Sequence, residues 1–295
     1  MTIEEGVALS RHTTLGTGGP ARAFARPQSE LEVEELLRWA AGRGLAVATV
    51  GLGSNLLAAD DGVDALVLRL EGELAAVDVE GETLVAGGGA KNAVCVRRAR
   101  EAGLGGVEFA SAIPGTAGGG VRMNAGAYGR DWSSVILDAV VVGPAGTRTV
   151  GLAGLGLAYR HSALAPGEVV AQVRFRLTPR PTEEIRAVIA ELLAQRKATQ
   201  PTTKRTFGSV FKNPDTGPGA GAMIEACGLK GFRVGGAVVS ERHANFIENS
   251  GGATSADALA LMAEARRRVA ERFGLALEHE VRLLGVLELP PLSPV

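Results

Sequence analysis

Cysteine, histidine, lysine and aromatic residues are all sparse in this chain. Two cysteines among 295 residues, Cys95 and Cys227, form neither a metal-ligand spacing nor a disulfide framework, which predicts a reducing compartment, the cytoplasm. The four histidines, His12, His161, His243 and His279, make no H-x-x-x-H pair or His/Asp cluster, so no metal site is expected. No run of about 18 apolar residues exists, so no segment is expected to span a membrane. Met1–Gly19 holds Glu4, Glu5, Arg11 and His12 where a signal peptide needs an apolar core. An excess of one charge is also missing: 31 basic residues stand against 32 acidic ones. That argues against a general nucleic-acid or anionic-membrane binder. No G-x-S-x-G elbow occurs, so a serine hydrolase is excluded.

Glycine is what the chain has in plenty. There are 41, close to twice the usual ~7%. Six of them fall in the twenty residues Ala110–Gly129, ASAIPGTAGGGVRMNAGAYG. Each glycine costs roughly 0.5–1 kcal/mol relative to alanine inside a helix or strand, so this stretch reads as a long loop. Loops of that length in compact domains are usually functional. Glycine supplies positive φ and close backbone approach, leaving N–H groups to face an anion or a flat ring.

The rest alternates helix and strand patterns. Ser29 with Glu32 is a capping box opening a helix to Ala41, with Val33, Leu36, Leu37 and Ala40 inward. Ala46–Val50 reads as a short buried strand and Ala65–Leu70 as another. A hairpin joins Val77–Val79 to Thr83–Ala86, and a second helix is expected over Ala90–Ala102. A second hairpin joins Val135–Val142 to Thr147–Val150. Val169, Ala171, Val173, Phe175 and Leu177 alternate along a half-buried strand. Pro179-Arg180-Pro181 marks a domain boundary. Beyond it, Thr182 is expected to cap a helix whose inner face is Ile185, Val188, Ile189 and Leu192. A short helix follows at Ala220–Ala226, with strands at Val238-Val239 and Asn245–Ile247. The longest helix, Thr254–Phe273, is expected to bury Leu259, Met262, Ala263, Val269, Ala270 and Phe273. Arg266 interrupts that face and must reach water or a partner. A last strand lies near Val281–Leu287. Without strict βαβ alternation, α+β layers are favoured over a doubly wound sheet.

Four glycine-rich segments, Thr14–Gly19, Gly51–Asn55, Gly87–Gly89 and Gly115–Gly126, could jointly hold a large phosphate-bearing cofactor through backbone amides; each could also be only a turn. Gly51-Leu52-Gly53 lacks the third glycine of a dinucleotide fingerprint. Tyr159-Arg160, Gly208–Pro214 and Glu280-Val281-Arg282 hold polar and titratable groups. By spacing alone Ser209 reads as an ordinary satisfied hydroxyl, and Arg160 and Glu280 as a salt bridge, as readily as catalytic groups.

Taken in order, the motifs TTLGTGG (Thr13–Gly19), GLGSNLL (Gly51–Leu57), IPGTAGGGVRMNAGAYG (Ile113–Gly129), Tyr159-Arg160-x-Ser162, GSVFKNP (Gly208–Pro214), IEACGLKG (Ile224–Gly231), GGAVVSERHANFIEN (Gly235–Asn249) and EVRLLG (Glu280–Gly285) resemble one flavoenzyme family. That family is UDP-N-acetylenolpyruvoylglucosamine reductase, of bacterial cell-wall precursor synthesis. The resemblance implies a two-subdomain FAD-binding region of the vanillyl-alcohol-oxidase (PCMH) type over residues 1–180, with subdomains at about 1–70 and 71–180. It implies an α+β substrate domain over residues 181–295. Arg160, Ser209 and Glu280 fall on the family's active-site positions. Gly51, Gly53, Ser54, Asn55, Leu56, Ile113, Pro114, Gly115, Thr116, Gly118, Gly119, Asn124, Gly126, Ala127 and Tyr128 fall on flavin-binding positions. Tyr159, Lys197, Lys212 and Asn213 fall on substrate-facing ones.

The implied reaction takes a hydride from NADPH through non-covalently bound FAD to the enolpyruvyl β-carbon of UDP-N-acetylenolpyruvoylglucosamine. Arg160 would grip the substrate carboxylate, because its planar fork binds oxygens in pairs. Glu280 would hydrogen-bond the carboxylate or a water while the charge builds, and Ser209 would deliver a proton to the α-carbon. Tyr128 and Tyr159 are the only tyrosines, so the chain resembles the shorter group of relatives, without a tyrosine-bearing closing loop. His12 stands where many relatives carry asparagine. Cys95 and Cys227 are expected to be buried core residues, not covalent flavin anchors. No obligate protein partner is implied. Two rivals remain: another flavoenzyme of the same fold oxidising a hydroxy acid or alcohol, and a non-catalytic flavin or nucleotide binder.

Overall fold

The computed structural model of the chain describes residues 2–292. They divide into two compact units. The first comprises the chain up to Glu5, Ala23–Leu52 and Asp64–Arg196; the second comprises Gly6–Arg22, Gly53–Val63 and the chain from Lys197 on. The helix Thr182–Thr199 therefore runs mostly in the first unit, past the Pro179–Pro181 boundary expected from sequence. Two short early segments lie in the second unit, far in sequence from its main body.

The first unit has two apolar cores. One gathers Ala23, Val33, Leu36, Leu37, Ala40, Leu66 and Leu68 around the helix Glu30–Ala41. Ser29 accepts the Glu32 N–H at 3.3 Å, but the Glu32 carboxylate accepts the Gln28 N–H at 2.7 Å in place of that of Ser29, so half of the expected capping box forms. Beside that helix Ala46–Thr49 runs parallel to Ala65–Leu68. Ala46 and Thr49 are exposed and Val47 and Ala48 half-buried, so this strand is not the buried one its apolar composition suggested. Alanine and threonine fit an edge of the sheet as well as its middle.

The other core belongs to a five-stranded antiparallel sheet. Its order is Gly146–Gly151, Ile136–Gly143, Val169–Arg176, Thr83–Gly87, Val77–Glu80. Fully buried Trp132 stacks at 4.7 Å on Phe175 and meets Phe109 edge-on at 5.4 Å. Aromatic side chains of this size contribute about 1.5–3 kcal/mol each by burial alone. Cys95 is sealed here, and burial pushes its thiol up to about 12, so it is inert.

The glycine stretch expected to be a loop instead contains a helix, Ala117–Met123, with the sequence AGGGVRM. Three glycines cost this helix about 3 kcal/mol in intrinsic propensity relative to alanine. Close packing overrides that cost. A Cβ on Gly118 would lie 2.9 Å from the Gly88 carbonyl oxygen and 3.2 Å from that of Val170. A Cβ on Gly120 would enter the indole of Trp132. Only glycine lets the helix approach the sheet, and Thr116 caps its start.

The second unit packs the helices Ala220–Ala226 and Ser255–Phe273 on a four-stranded antiparallel sheet. The strand order is Arg205–Ser209, Phe246–Asn249, Ala237–Val239, Arg233–Val234. Arg282–Leu284 adds a parallel pairing with Leu56–Ala58. Leu15 and Leu57, from the early segments, are fully buried in this core.

The long helix turns a different face inward than its largest apolar residues suggest. It buries Ser255, Ala258, Leu261, Met262, Ala265, Val269 and Ala270, while Leu259 is only half-buried and Phe273 is exposed. Small residues allow close approach, and Ser255 Oγ donates to Thr17 Oγ1 at 2.7 Å. The Thr254–Asp257 capping box forms. The Asp60 carboxylate adds a second cap from far away in sequence, accepting the N–H groups of Ser255 and Ala256, both at 2.9 Å. Arg266 finds carbonyl partners at Leu277 and Pro290. Of the inner face expected for the Thr182–Thr199 helix, only Ile185 is buried. Thr182 is itself its first helical residue; the Pro181 carbonyl accepts the N–H groups of Glu184 and Ile185. Cys227, expected to be buried, is partly exposed at the C-terminal end of Ala220–Ala226.

Candidate active site

In the first unit the Ile113–Thr116 loop runs between two anchors. A Cβ on Gly51 would meet Thr116 Oγ1 at 2.7 Å, so only glycine fits beside this turn. On the other side Asn92 Nδ2 donates to the Ile113 carbonyl at 3.0 Å. The Gly87–Gly89 loop spends its amides inside the protein: Gly87 on Ala76, Gly88 on Ala171 and Gly89 on Leu74. Its neighbours take up the first helical turn as well, since the Ala117 and Gly118 N–H groups donate to Ala90 and Gly88, both at 2.8 Å. This third glycine segment is thus a packing joint, and its amides are not presented to an anion.

The helix ends at Asn124, and from there the backbone leaves ordinary conformations. Asn124, Tyr128 and Arg160 have φ values of 38°, 54° and 54°, the only non-glycine residues with positive φ among those described. Each such residue costs of order 1–3 kcal/mol, and such strain gathers at functional sites. Arg160 sits in a tight turn in which the Ala158 and His161 N–H groups each donate to the other's carbonyl, at 3.2 and 3.1 Å. Its Nη2 donates to the Gly126 carbonyl at 2.9 Å, and its guanidinium lies 4.9 Å from the Tyr159 ring centre. Tyr159 is 49% and Tyr128 41% exposed, unusual for rings with no structural need to face water. The structure thus brings Gly126, Tyr159 and Arg160 together. Arg196, a residue not singled out from sequence, lies close enough to Tyr128 to act on its hydroxyl; burial raises the phenol and Arg196 opposes that shift. A long-range contact of this kind leaves no local signal in sequence.

In the second unit Ser209, Glu280 and the Gly53–Asn55 loop converge. Gly208 takes φ +81° beside the Ser54 carbonyl, and the register of Arg205–Ser209 against Phe246–Asn249 shifts between Thr206 and Ser209. This bulge re-aims the end of the strand. The Val210 carbonyl then accepts the Glu280 N–H at 2.8 Å, which pairs the two segments. Asn55 Nδ2 donates to the Glu280 carbonyl at 3.2 Å, and the Arg282 N–H donates to the Asn55 carbonyl at 3.0 Å. Thr14 Oγ1 donates to the Thr206 carbonyl at 2.6 Å, and its N–H to the Gly53 carbonyl at 3.1 Å. The GLGSNLL segment is thus divided: Gly51 braces Thr116 in the first unit, while Gly53–Leu56 serves Ser209 and Glu280 in the second.

The residues expected to face substrate are held less tightly. Lys212 Nζ pairs with Glu278 at 2.5 Å. Asn213 Oδ1 accepts the Ala220 N–H at 3.0 Å. Exposed Lys197 offers its carbonyl to Arg242. Among the described residues no group of three or more His, Cys, Asp or Glu could hold a metal, and no helix is long and apolar enough to cross a membrane.

Residues 21–150 match the FAD binding domain family, and residues 200–284 match the C-terminal domain of UDP-N-acetylenolpyruvoylglucosamine reductase. UDP-N-acetylenolpyruvoylglucosamine reductase 2 of Symbiobacterium thermophilum is 45% identical over 285 residues, 96% of this chain and 92% of that one. The Anaeromyxobacter dehalogenans reductase is 46% identical over 283 residues, covering 96% of this chain and 85% of its own. The crystal structure of the Thermus caldophilus reductase is similar with a TM-score of 0.85 at 37% identity, covering 96% of this chain and 99% of that one. With kinship this close from end to end, and both of its family matches in place, the chain belongs to the UDP-N-acetylenolpyruvoylglucosamine reductase family.

Proposed function

We propose that this protein reduces UDP-N-acetylenolpyruvoylglucosamine to UDP-N-acetylmuramate with NADPH and non-covalently bound FAD, a cytoplasmic step of peptidoglycan precursor synthesis. One observation carries this reading: the Val210–Glu280 pairing at 2.8 Å holds Ser209 and Glu280 on neighbouring segments. That pairing supports a reading in which Ser209 donates a proton and Glu280 hydrogen-bonds the substrate carboxylate or a water. In this reading residues 1–180 serve the cofactor and residues 181–295 the substrate, with the early segments 6–22 and 53–63 lent to the second unit.

The first unit suits a flavin. Ser111 Oγ and Asn92 Oδ1, on either side of the Ile113–Thr116 loop, are buried and meet no hydrogen-bond partner among the described residues. Orphaned groups of this kind cost about 1–3 kcal/mol each unless something polar meets them, and a bound cofactor with polar edges answers that need. Gly51, Ile113, Pro114, Gly115, Thr116, Gly119, Gly126, Ala127 and Tyr128 would hold it from this unit, with Gly118 and Asn124 as the packing behind them. Gly53, Ser54, Asn55 and Leu56 are the remaining positions that the resemblance assigns to the flavin. The chemistry FAD supplies when bound is hydride relay, from NADPH to the enolpyruvyl β-carbon.

The chain's own residues do the rest. Arg160 grips the substrate carboxylate with the planar fork of its guanidinium, which binds oxygens in pairs. As negative charge builds on the α-carbon and spreads into that carboxylate, Arg160 stabilises it while Glu280 hydrogen-bonds the carboxylate or a water. Ser209 hands its hydroxyl proton to the α-carbon; an alcohol is a weak acid, but the enolate it meets is a strong base. Tyr159, Lys197, Lys212 and Asn213 position the nucleotide sugar.

Stopped-flow absorbance of the holoprotein tests this. NADPH should bleach the oxidised-flavin band, and the enolpyruvyl substrate should restore it anaerobically. Ser209→Ala should bleach normally and fail to turn over. Recovery with oxygen alone would point to another flavoenzyme, and absence of any flavin band after adding FAD would overturn the reading.

A further inference from the structure

Asn124 falls on a flavin-binding position by resemblance, yet its side chain is spent within the protein. Its Nδ2 donates to Asp131 Oδ2 at 3.1 Å and to the Ala158 carbonyl at 3.0 Å, while its Oδ1 accepts the Ser133 N–H at 3.1 Å. Asp131 in turn accepts the Ser133 N–H at 3.0 Å and the Ser133 hydroxyl at 2.5 Å. Asn124 is 1% exposed, so these bonds form away from competing water.

The Ala158 carbonyl is the first acceptor of the turn that forces Arg160 to φ 54°. Asn124 therefore braces the backbone of Arg160 from one side. Asp131 also pairs directly with Gly126 across a two-residue antiparallel ladder, and the Gly126 carbonyl receives the Arg160 guanidinium. Both the backbone and the head group of Arg160 are thus fixed by bonds that meet at Asp131.

We infer that Asp131, acting through Asn124 and Gly126, is a positioning residue for Arg160 in the enolpyruvyl-reducing step. The inference rests on the proposed role of Arg160. A left-handed arginine relaxes downhill once its brace is gone, and a guanidinium displaced by about 1 Å can lose of order 100-fold in rate. Asp131 touches neither substrate nor flavin in this account, so its removal should spare the step that does not use Arg160.

The test uses holoprotein carrying Asp131→Ala or Asp131→Asn. In the Asp131→Ala variant, flavin content and bleaching by NADPH should stay within about two-fold of wild type. Reoxidation by the enolpyruvyl substrate should slow about ten- to 100-fold. Asp131→Asn, which can still accept from Ser133, should recover part of the rate. In an Arg160→Ala background Asp131→Ala should add less than about a two-fold further loss, because residues acting through one another are not additive. Multiplicative loss in that background, equal loss of both half-reactions, or full activity of Asp131→Ala would overturn the inference. If Arg160→Ala itself leaves the substrate step intact, the reading of Arg160 falls first; if it does not, only the positioning claim is at stake.

Discussion

Phe211 and Asn245 bind each other twice. The Phe211 N–H donates to Asn245 Oδ1 at 2.9 Å, and Asn245 Nδ2 donates to the Phe211 carbonyl at 2.8 Å. The Asn245 carbonyl also accepts the Val210 N–H at 2.9 Å. A side chain here takes the place of a missing strand neighbour, two residues beyond the end of Arg205–Ser209.

Asn245→Ala should therefore lower unfolding free energy by about 2–4 kcal/mol, since it orphans two buried backbone groups at about 1–3 kcal/mol each. Asn245→Asp, which keeps the acceptor and loses the donor, should cost less than Asn245→Ala. Urea denaturation followed by circular dichroism gives the comparison. An alanine variant as stable as wild type would show that water satisfies Phe211.

Arg160→Lys keeps a positive charge and gives up the fork. A lysine has no second arm to spare for the Gly126 carbonyl while gripping a carboxylate. Turnover of the enolpyruvyl substrate should fall about 100-fold, or roughly 2.7 kcal/mol at 1.36 kcal/mol per decade, with bleaching by NADPH little changed. Steady-state kcat beside single-turnover bleaching would check this; a lysine variant near wild-type rate would mean that charge alone suffices.

Gly120→Ala presses a methyl group into the Trp132 indole. Since Trp132 is fully buried against Phe109 and Phe175, neither side can yield cheaply. The expected cost is about 1–3 kcal/mol or more, despite alanine's better helix propensity. Differential scanning calorimetry should show a lower Tm. Gly129→Ala is the control, because the space around a Cβ there is open. Its φ of +77° confines the cost to backbone strain.

Glu264 should report on acid. Arg267 first, then Arg268, hydrogen-bond its carboxylate and hold its pKa at about 2 against an ordinary 4.5. A depressed carboxylate contributes stability that is complete above its unfolded value and lost as pH falls through its folded one. The window is therefore about pH 4.5 down to 2. Because the cluster is partly in water, its contribution is roughly 1 kcal/mol or less. Glu264→Gln should thus be less stable than wild type at pH 7 and indistinguishable from it near pH 2. A gap that persists at pH 2 would assign the loss to packing instead.

Where a signal was local, the sequence carried it. Ser29 with Glu32 and Thr254 with Asp257 cap helices as their spacing implies. The alternation from Val169 to Phe175 marks the buried face of the central strand. The failures share a cause. Helix Ala117–Met123 defies its own propensity because its partners are a distant loop and Trp132. The inner face of Ser255–Phe273 is set by Thr17 and Asp60, long before it in the chain. Of the candidate site, the motifs named segments and not contacts. They could not show that Asn124 faces Asp131, that Arg196 stands by Tyr128, or that GLGSNLL is split between two units.

That split has a consequence for how the chain is made. The polypeptide passes between its two units five times, after Glu5, Arg22, Leu52, Val63 and Arg196. Leu15, Leu57 and Asp60 leave the ribosome early, yet the groups that bury or bond them, from Phe207 to Leu284, come almost last. Contacts this distant in sequence slow folding, because loop entropy is lost before they form. Until then an apolar segment and an unpaired strand edge wait exposed, the condition under which nascent chains misassemble. A fragment beginning at Lys197 would lack those same pieces and should not fold alone, whereas one that supplies residues 6–22 and 53–63 in trans could be complemented by them.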